Sequence, residues 1–155
     1  MPDPAVAAAE MYRTLKPGGI AVTAFWTQIP SGETIMNANQ ILRPLSRPLA
    51  MVPKPGFKDP DNLRRQLASG GFDIDKIVLE EFRSSMVVED VRYFVEALWG
   101  TIGEPMGGWN SGDEEEWDRC IEVAERVLRE HPGCEELGDG TVKIHLIAAV
   151  AIGVK

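Results

Sequence analysis

The stretch AAEMYRTLKPGGIAV, Ala8 to Val22, decides how the rest of the chain is read. Its first half is rich in helix formers. It follows Asp3-Pro4, a capping residue and a proline suited to a first helical turn. KPGG then ends the helix. Pro17 cannot continue it, and Gly18 and Gly19 accept dihedrals closed to other residues. Ile20 to Trp26 follows as an apolar run bounded by turn signals, the pattern of a strand buried on both faces. A helix that turns tightly into a buried strand is the working unit of a layered α/β domain.

The same punctuation continues along the chain. GETIMNANQILRPL predicts a helix from about Glu33 to Leu42, after which Pro44, Pro48, Pro53 and Pro55 make a loop of the lid or binding type. DPDNLRRQLASGGF places Asp59 or Asp61 as a cap, Leu63 and Leu67 one turn apart, and Gly70-Gly71 as a stop. Lys76 to Ser84 alternates as a strand. VEDVRYFVEALWGTI is helical, with Val91, Val95, Leu98 and Ile102 on one face. A further helix runs from about Asp113 to Glu130 with Trp117, Ile121, Ala124 and Leu128 as its stripe. HPGCEELGDG reads as a loop, and TVKIHLIAAVAIGV as a long final strand. One α/β domain over residues 1–155 with three strands is expected.

Composition narrows the partners. With 44% hydrophobic residues the chain can build a core, and 16 basic against 24 acidic residues give a net charge of −8. That balance argues against nucleic-acid and anionic-membrane partners, which want a basic face. SGDEEEWD, Ser111 to Asp118, holds five carboxylates in eight residues and reads as a solvated helix start. Cys120 and Cys134 suit neither a disulfide framework nor a zinc site, so no metal is expected and both are read as ordinary thiols of a reducing compartment. No apolar run approaches the roughly 20 residues that span a bilayer. MPDPAVAAAE lacks the basic start of a signal peptide, so a cytoplasmic location is expected.

EMYRTLKPGGIAVTAFW resembles the helix, turn and fifth strand of class I S-adenosylmethionine-dependent methyltransferases, most closely the small-molecule branch that includes enzymes of quinone biosynthesis and fungal secondary metabolism. PDNLRRQLASGGFD, REHPG and VKIHLIAAVAIGVK resemble the family's later elements in the expected order. The resemblance implies the C-terminal half of a Rossmann-like methyltransferase fold. It implies a three-stranded mixed sheet with the last strand in the middle, antiparallel to its neighbours. The family's first four strands, with the Gly-rich turn that holds the cofactor, have no counterpart here. KPGG is no substitute, because it precedes a strand instead of joining a strand to a helix. No cofactor is therefore expected. The first strand would lie on an open edge with no Lys, Pro or Glu to guard it, so either a second copy pairs with it or the preceding helix and the Pro-rich segment fold over it, and completion by homodimerisation through that strand is the favoured expectation.

Ligands of open α/β sheets bind beyond the carboxyl ends of parallel strands, which here means Phe25, Trp26 and Thr27. The start of the antiparallel last strand would bring His145 or Lys143 to the same rim. The resemblance puts the substrate pocket at this edge, under the Glu33 to Leu42 helix and the Pro-rich loop. Phe25, Trp26, Met36, Met51, Trp99 and Trp109 are candidates for an apolar lining, and Asn39 and Gln40 for orienting a substrate. His145 is a candidate acid or base because histidine is the side-chain type suited to proton transfer near neutral pH. Glu33 and Glu96 are candidate proton donors if an apolar pocket buries them. His131 beside Pro132 is explained as a cation near a helix C-terminus. Three functions follow. One is a cofactor-independent isomerase or cyclase acting on a hydrophobic small molecule, by acid-assisted epoxide rearrangement or pericyclic cyclisation without methyl transfer. The others are half of a split methyltransferase and a non-catalytic small-molecule-binding accessory protein.

Overall fold

A computed structural model describes residues 3–43, 47–50 and 58–155. Among these, six α-helices and four strands follow in the order α1 (Pro4–Thr14), β1 (Ile20–Gln28), α2 (Pro30–Leu42), α3 (Asp61–Ser69), β2 (Val78–Val88), α4 (Val91–Ile102), α5 (Ser111–Glu115), α6 (Trp117–Arg129), β3 (Cys134–Glu136) and β4 (Val142–Val154). The sheet order is β1-β4-β2, with β3 also pairing to β4. The last long strand therefore sits in the middle, as expected. Two features of the expected sheet are corrected. The sheet is antiparallel rather than mixed, and it has a fourth strand in the segment read as a loop. β3 spans three residues, too short to show an alternation in sequence.

The chain divides into two compact units. One comprises Met1–Gln28, Lys54–Arg83 and Ile147–Lys155, and the other Ile29–Pro53 and Ser84–Leu146. The strands β2 and β4 each run from one unit into the other.

In the first unit, Asp3 caps α1 by accepting the Ala5 N–H at 2.9 Å, with Pro4 in the first turn. Gly18 then takes φ 78°, which a residue with a Cβ rarely adopts. The turn is clasped by the last residue of the chain. Gly18 N–H donates to Lys155 O at 2.8 Å, Lys155 N–H donates to Gly19 O at 2.9 Å, and Lys155 Nζ donates to Leu15 O at 2.9 Å. β1 pairs with β4 from Ile20↔Val154 to Trp26↔Ala148, and a bulge follows at Trp26/Gln28. Ala21, Ala149 and Ala151 face Leu63, Leu67, Phe72 and Ile77, with Met11, Tyr12 and Phe25 at the margin. Tyr12 meets Phe72 edge-on at 5.0 Å. The small strand residues let α1 and α3 lie close to the sheet. The other face of β1 is exposed, which corrects the expectation of a strand buried on both sides. An edge strand covered by helices on one face only gives this pattern.

The second unit is helical around a larger core. Ile35, Val95, Trp99, Ile121, Leu128, Val142 and Ile144 are fully buried there. The expected 113–130 helix is two helices. Asn110 accepts the Asp113 N–H while the Asp113 side chain accepts the Asn110 N–H, a reciprocal cap that starts α5 at Ser111. Residues 48–50 are pinned to the 104–106 segment by Ala50 N–H to Glu104 O and Met106 N–H to Pro48 O, both 2.8 Å.

Candidate functional site

The turn that joins α6 to β3 gathers both histidines of the chain. Ile29 offers no side chain to cap α2. Glu33 reaches back instead, its Oε1 accepting the Ile29 N–H at 3.3 Å. The other oxygen of Glu33 faces His131 Nε2 at 3.1 Å. His131 Nδ1 accepts the Gly133 N–H at 2.9 Å, so its lone pair is in use and the neutral ring carries its proton on Nε2, pointing at Glu33. Gly133 O in turn accepts the His145 N–H at 2.8 Å. His145 Nε2 lies 3.4 Å from Glu135 Oε2, with both side chains open to solvent. Two imidazole–carboxylate pairs, Glu33–His131 and Glu135–His145, thus flank Gly133. The first is largely enclosed and holds α2 to the end of α6. The second can reach a bound molecule.

Cys134, between them in sequence, is no nucleophile. Burial and then the charge of Glu136 push its thiol up to about 11, so it stays protonated near neutrality. His131, read from sequence as a charged group at a helix end, has both ring nitrogens engaged.

A second polar cluster in the same unit accounts for several expected pocket residues. Arg43 is buried between Trp99 and Trp109, its guanidinium carbon 4.8 and 5.1 Å from the two ring centroids. It donates to Gly103 O at 2.6 Å and to Asn39 Oδ1 at 3.1 Å, and lies 3.2 Å from Asp113. Arg47 donates to both oxygens of Asp113, at 3.1 and 2.9 Å. Burial alone would raise the Asp113 carboxyl. The Arg47 bond, the Asn110 N–H and the charges of Arg43 and Arg47 outweigh it and hold the group below the ordinary Asp value. Asp113 belongs to the acidic run read as a solvated face, and it is the buried exception. Asn39 and Trp99 are buried around Arg43, and Trp109 shields it on its other side. All three therefore contact the guanidinium, through one hydrogen bond and two aromatic faces.

The remaining candidates are dispersed. Glu96 is exposed and accepts from Trp117 Nε1 at 3.3 Å, so no apolar pocket encloses it. Met36 packs against the core, and Gln40 is exposed. Met51 lies outside the described residues. Within the first unit, Phe25 turns towards the core and Trp26 to the opposite, exposed face, as neighbours on a strand must. A cleft of about 330 Å³ sits at the carboxyl end of β1 in that unit, lined by Thr27, Lys58, Pro60, Leu79, Glu81 and Ala149 among others. None of the three expected acid–base residues lines it.

Sequence reasoning named Glu33 and His145 but missed their partners, as well as Arg43 and Asp113. Only the HPG turn after α6 and the N-x-x-D cap at Asn110 carry a local signal for these. Among the described residues no three His, Cys, Asp or Glu side chains are grouped as metal ligands. No described helix is long and apolar enough to cross a membrane. No protein-family model matches the chain, and no curated protein matches it.

Proposed function

We propose that the chain is a cofactor-independent isomerase or cyclase of secondary metabolism with a methyltransferase-like fold, acting on a hydrophobic small molecule. His145 is its proton-exchanging group. The observation that carries this reading is the solvent-open His145 beside Glu135, next to the enclosed Glu33–His131 pair. A protonated His145, its Nε2 facing Glu135, gives its Nδ1 proton to a strained ether oxygen such as that of an epoxide. The C–O bond breaks, the carbon skeleton rearranges, and a proton lost from carbon returns to the ring. Atoms balance without a co-reactant. Glu135 stabilises the imidazolium, and the Glu33–His131 pair fixes the turn from which β3 and β4 present both groups. Acid–base assistance of this kind is worth roughly 10²- to 10⁴-fold in rate.

The test compares metabolite profiles of a strain deleted for the gene and complemented with wild type, His145→Asn or Glu135→Gln. Wild type restores a product that His145→Asn does not, with Glu135→Gln intermediate and circular dichroism unchanged. Full restoration by His145→Asn would sink the acid–base role. Calorimetry with S-adenosylmethionine should give no heat, and micromolar binding by this chain alone would overturn the cofactor-free reading.

A second reading, half of a split methyltransferase, is favoured by one observation, the open edge of β1. It requires a partner chain that carries the Gly-rich turn, and it predicts cofactor binding by the pair but not by this chain.

A further inference from the structure

The first unit presents an apolar surface that nothing in the described chain covers. Among the described residues β1 pairs with β4 alone, since the sheet order is β1-β4-β2. The bond from Lys155 N–H to Gly19 O sets the phase of the antiparallel ladder. By alternation Ala21, Thr23 and Phe25 direct their backbone groups at β4, while Ile20, Val22 and Ala24 direct theirs at the free edge. The side chains of Ile20, Val22 and Trp26 also point away from α1 and α3 and are 60%, 57% and 38% exposed. Val154 of β4, opposite Ile20, is 44% exposed. On β2, Leu79 packs inward, so Val78 and Phe82 share the outer face, at 51% and 58%. Ile20, Val22, Trp26 and Val154 lie beside the free edge and form its apolar patch, whereas Val78 and Phe82 sit two strands away, beyond β4.

We propose that a second copy of this chain occupies the surface, pairing β1 with β1 about a two-fold axis. An antiparallel pair of identical strands is self-complementary by symmetry. An axis through Thr23 sets Ile20 opposite Trp26 and Val22 opposite Ala24 of the second copy, so an aromatic meets a β-branched residue and a larger residue meets a small one. β1 carries no charged residue, so the net charge of −8 does not act at the contact itself. The other edge explains why the assembly stops at two. β2 bears Glu80, Glu81 and Arg83, all exposed, with Arg83 paired to Glu81, and such charges block further strand addition. One unguarded edge and one guarded edge give a closed dimer rather than a filament. This proposal is independent of any role for His145.

The test is light scattering and sedimentation of the full chain at tens of micromolar, with wild type and Val22→Lys. Wild type sediments at twice the chain mass. Val22→Lys, at a solvent-facing position, keeps its circular dichroism and self-associates at least a hundredfold more weakly, equivalent to roughly 2.7 kcal/mol. Hydrogen exchange should show the Val22 and Ala24 amides protected in wild type and exposed in the variant. A wild-type monomer with fast-exchanging Val22 and Ala24 amides overturns the proposal. So does a dimer that Val22→Lys leaves intact, or a stable complex in which a different protein holds the β1 edge in place of the second copy.

Discussion

The two units solve the same burial problem in opposite ways. The second closes around large side chains, with Trp99, Ile121, Leu128 and Val95 fully enclosed and a charged cluster sealed in with them. The first sets alanines, Ala21, Ala149 and Ala151, against two helices that come close, and leaves the far side of its sheet bare. Bulk holds the second unit and close approach holds the first. The difference puts the proposed chemistry and the proposed assembly surface in different units. The self-contained unit carries the histidine pairs, and the open one carries the edge strand β1.

The contrast breaks most visibly at Trp99. Trp99→Ala removes the largest buried side chain of the second unit, and with it one of the two aromatic faces on Arg43. A loss of about 3–5 kcal/mol is expected from the cavity alone. Urea denaturation measures it. A loss below about 1 kcal/mol would mean that bulk is not what holds this unit.

Asp113→Asn comes next. It leaves Arg43 and Arg47 facing a neutral amide in a buried place, at a cost of about 3 kcal/mol at neutral pH. The pH dependence gives a second readout. The folded-state carboxyl lies below its ordinary value of about 3.9, so its contribution is complete above that value and is lost as pH falls through the folded one. The gap between wild type and Asp113→Asn should therefore narrow below about pH 4 and stay constant from pH 5 to 7. A gap that does not change with pH would show that the charge on Asp113 contributes nothing.

These two residues also mark where reading the sequence stops. The α1–turn–β1 unit was legible because each of its causes is local: the Asp3 cap, Pro4, the KPGG turn and the apolar run after it. The stop of α3 at Gly70-Gly71 and the length of β4 were legible for the same reason. The break between α5 and α6 was not, because a helical stripe continues across it and only the cap at Asn110 sets the start. Glu33 and His145 were singled out as titratable residues near a rim. Their roles depend on His131 and on the Gly133 turn, and His131 is 98 residues from Glu33. No periodicity encodes such a pairing. Asn39, Trp99 and Trp109 suggested a pocket lining because polar and aromatic residues line pockets. The same residue types surround a buried guanidinium, and only the position of Arg43 separates the two.

The smallest of the stability effects probes the first unit. Gly70 follows α3 with an ordinary negative φ, so backbone strain does not require glycine there. Space does. A Cβ at Gly70 would lie 2.5 Å from the backbone carbon of Ala8 and 2.6 Å from its Cβ, where α1 crosses the end of α3. Backbone cannot swing aside as a flexible side chain can, so Gly70→Ala must push the two helices apart. A loss of about 1–3 kcal/mol is expected. Gly108→Ala makes a contrasting control in the second unit. It has φ 82° and no close neighbour for its Cβ, so any loss there comes from backbone conformation and not from packing. Ala8→Gly added to Gly70→Ala removes only one of the three Ala8 atoms in the way, leaving its backbone carbon and oxygen, and should rescue nothing, while leaving Gly108→Ala unchanged. If Gly70→Ala is neutral, or if Ala8→Gly restores the whole loss, the close backbone contact of α1 with α3 is not what holds the first unit.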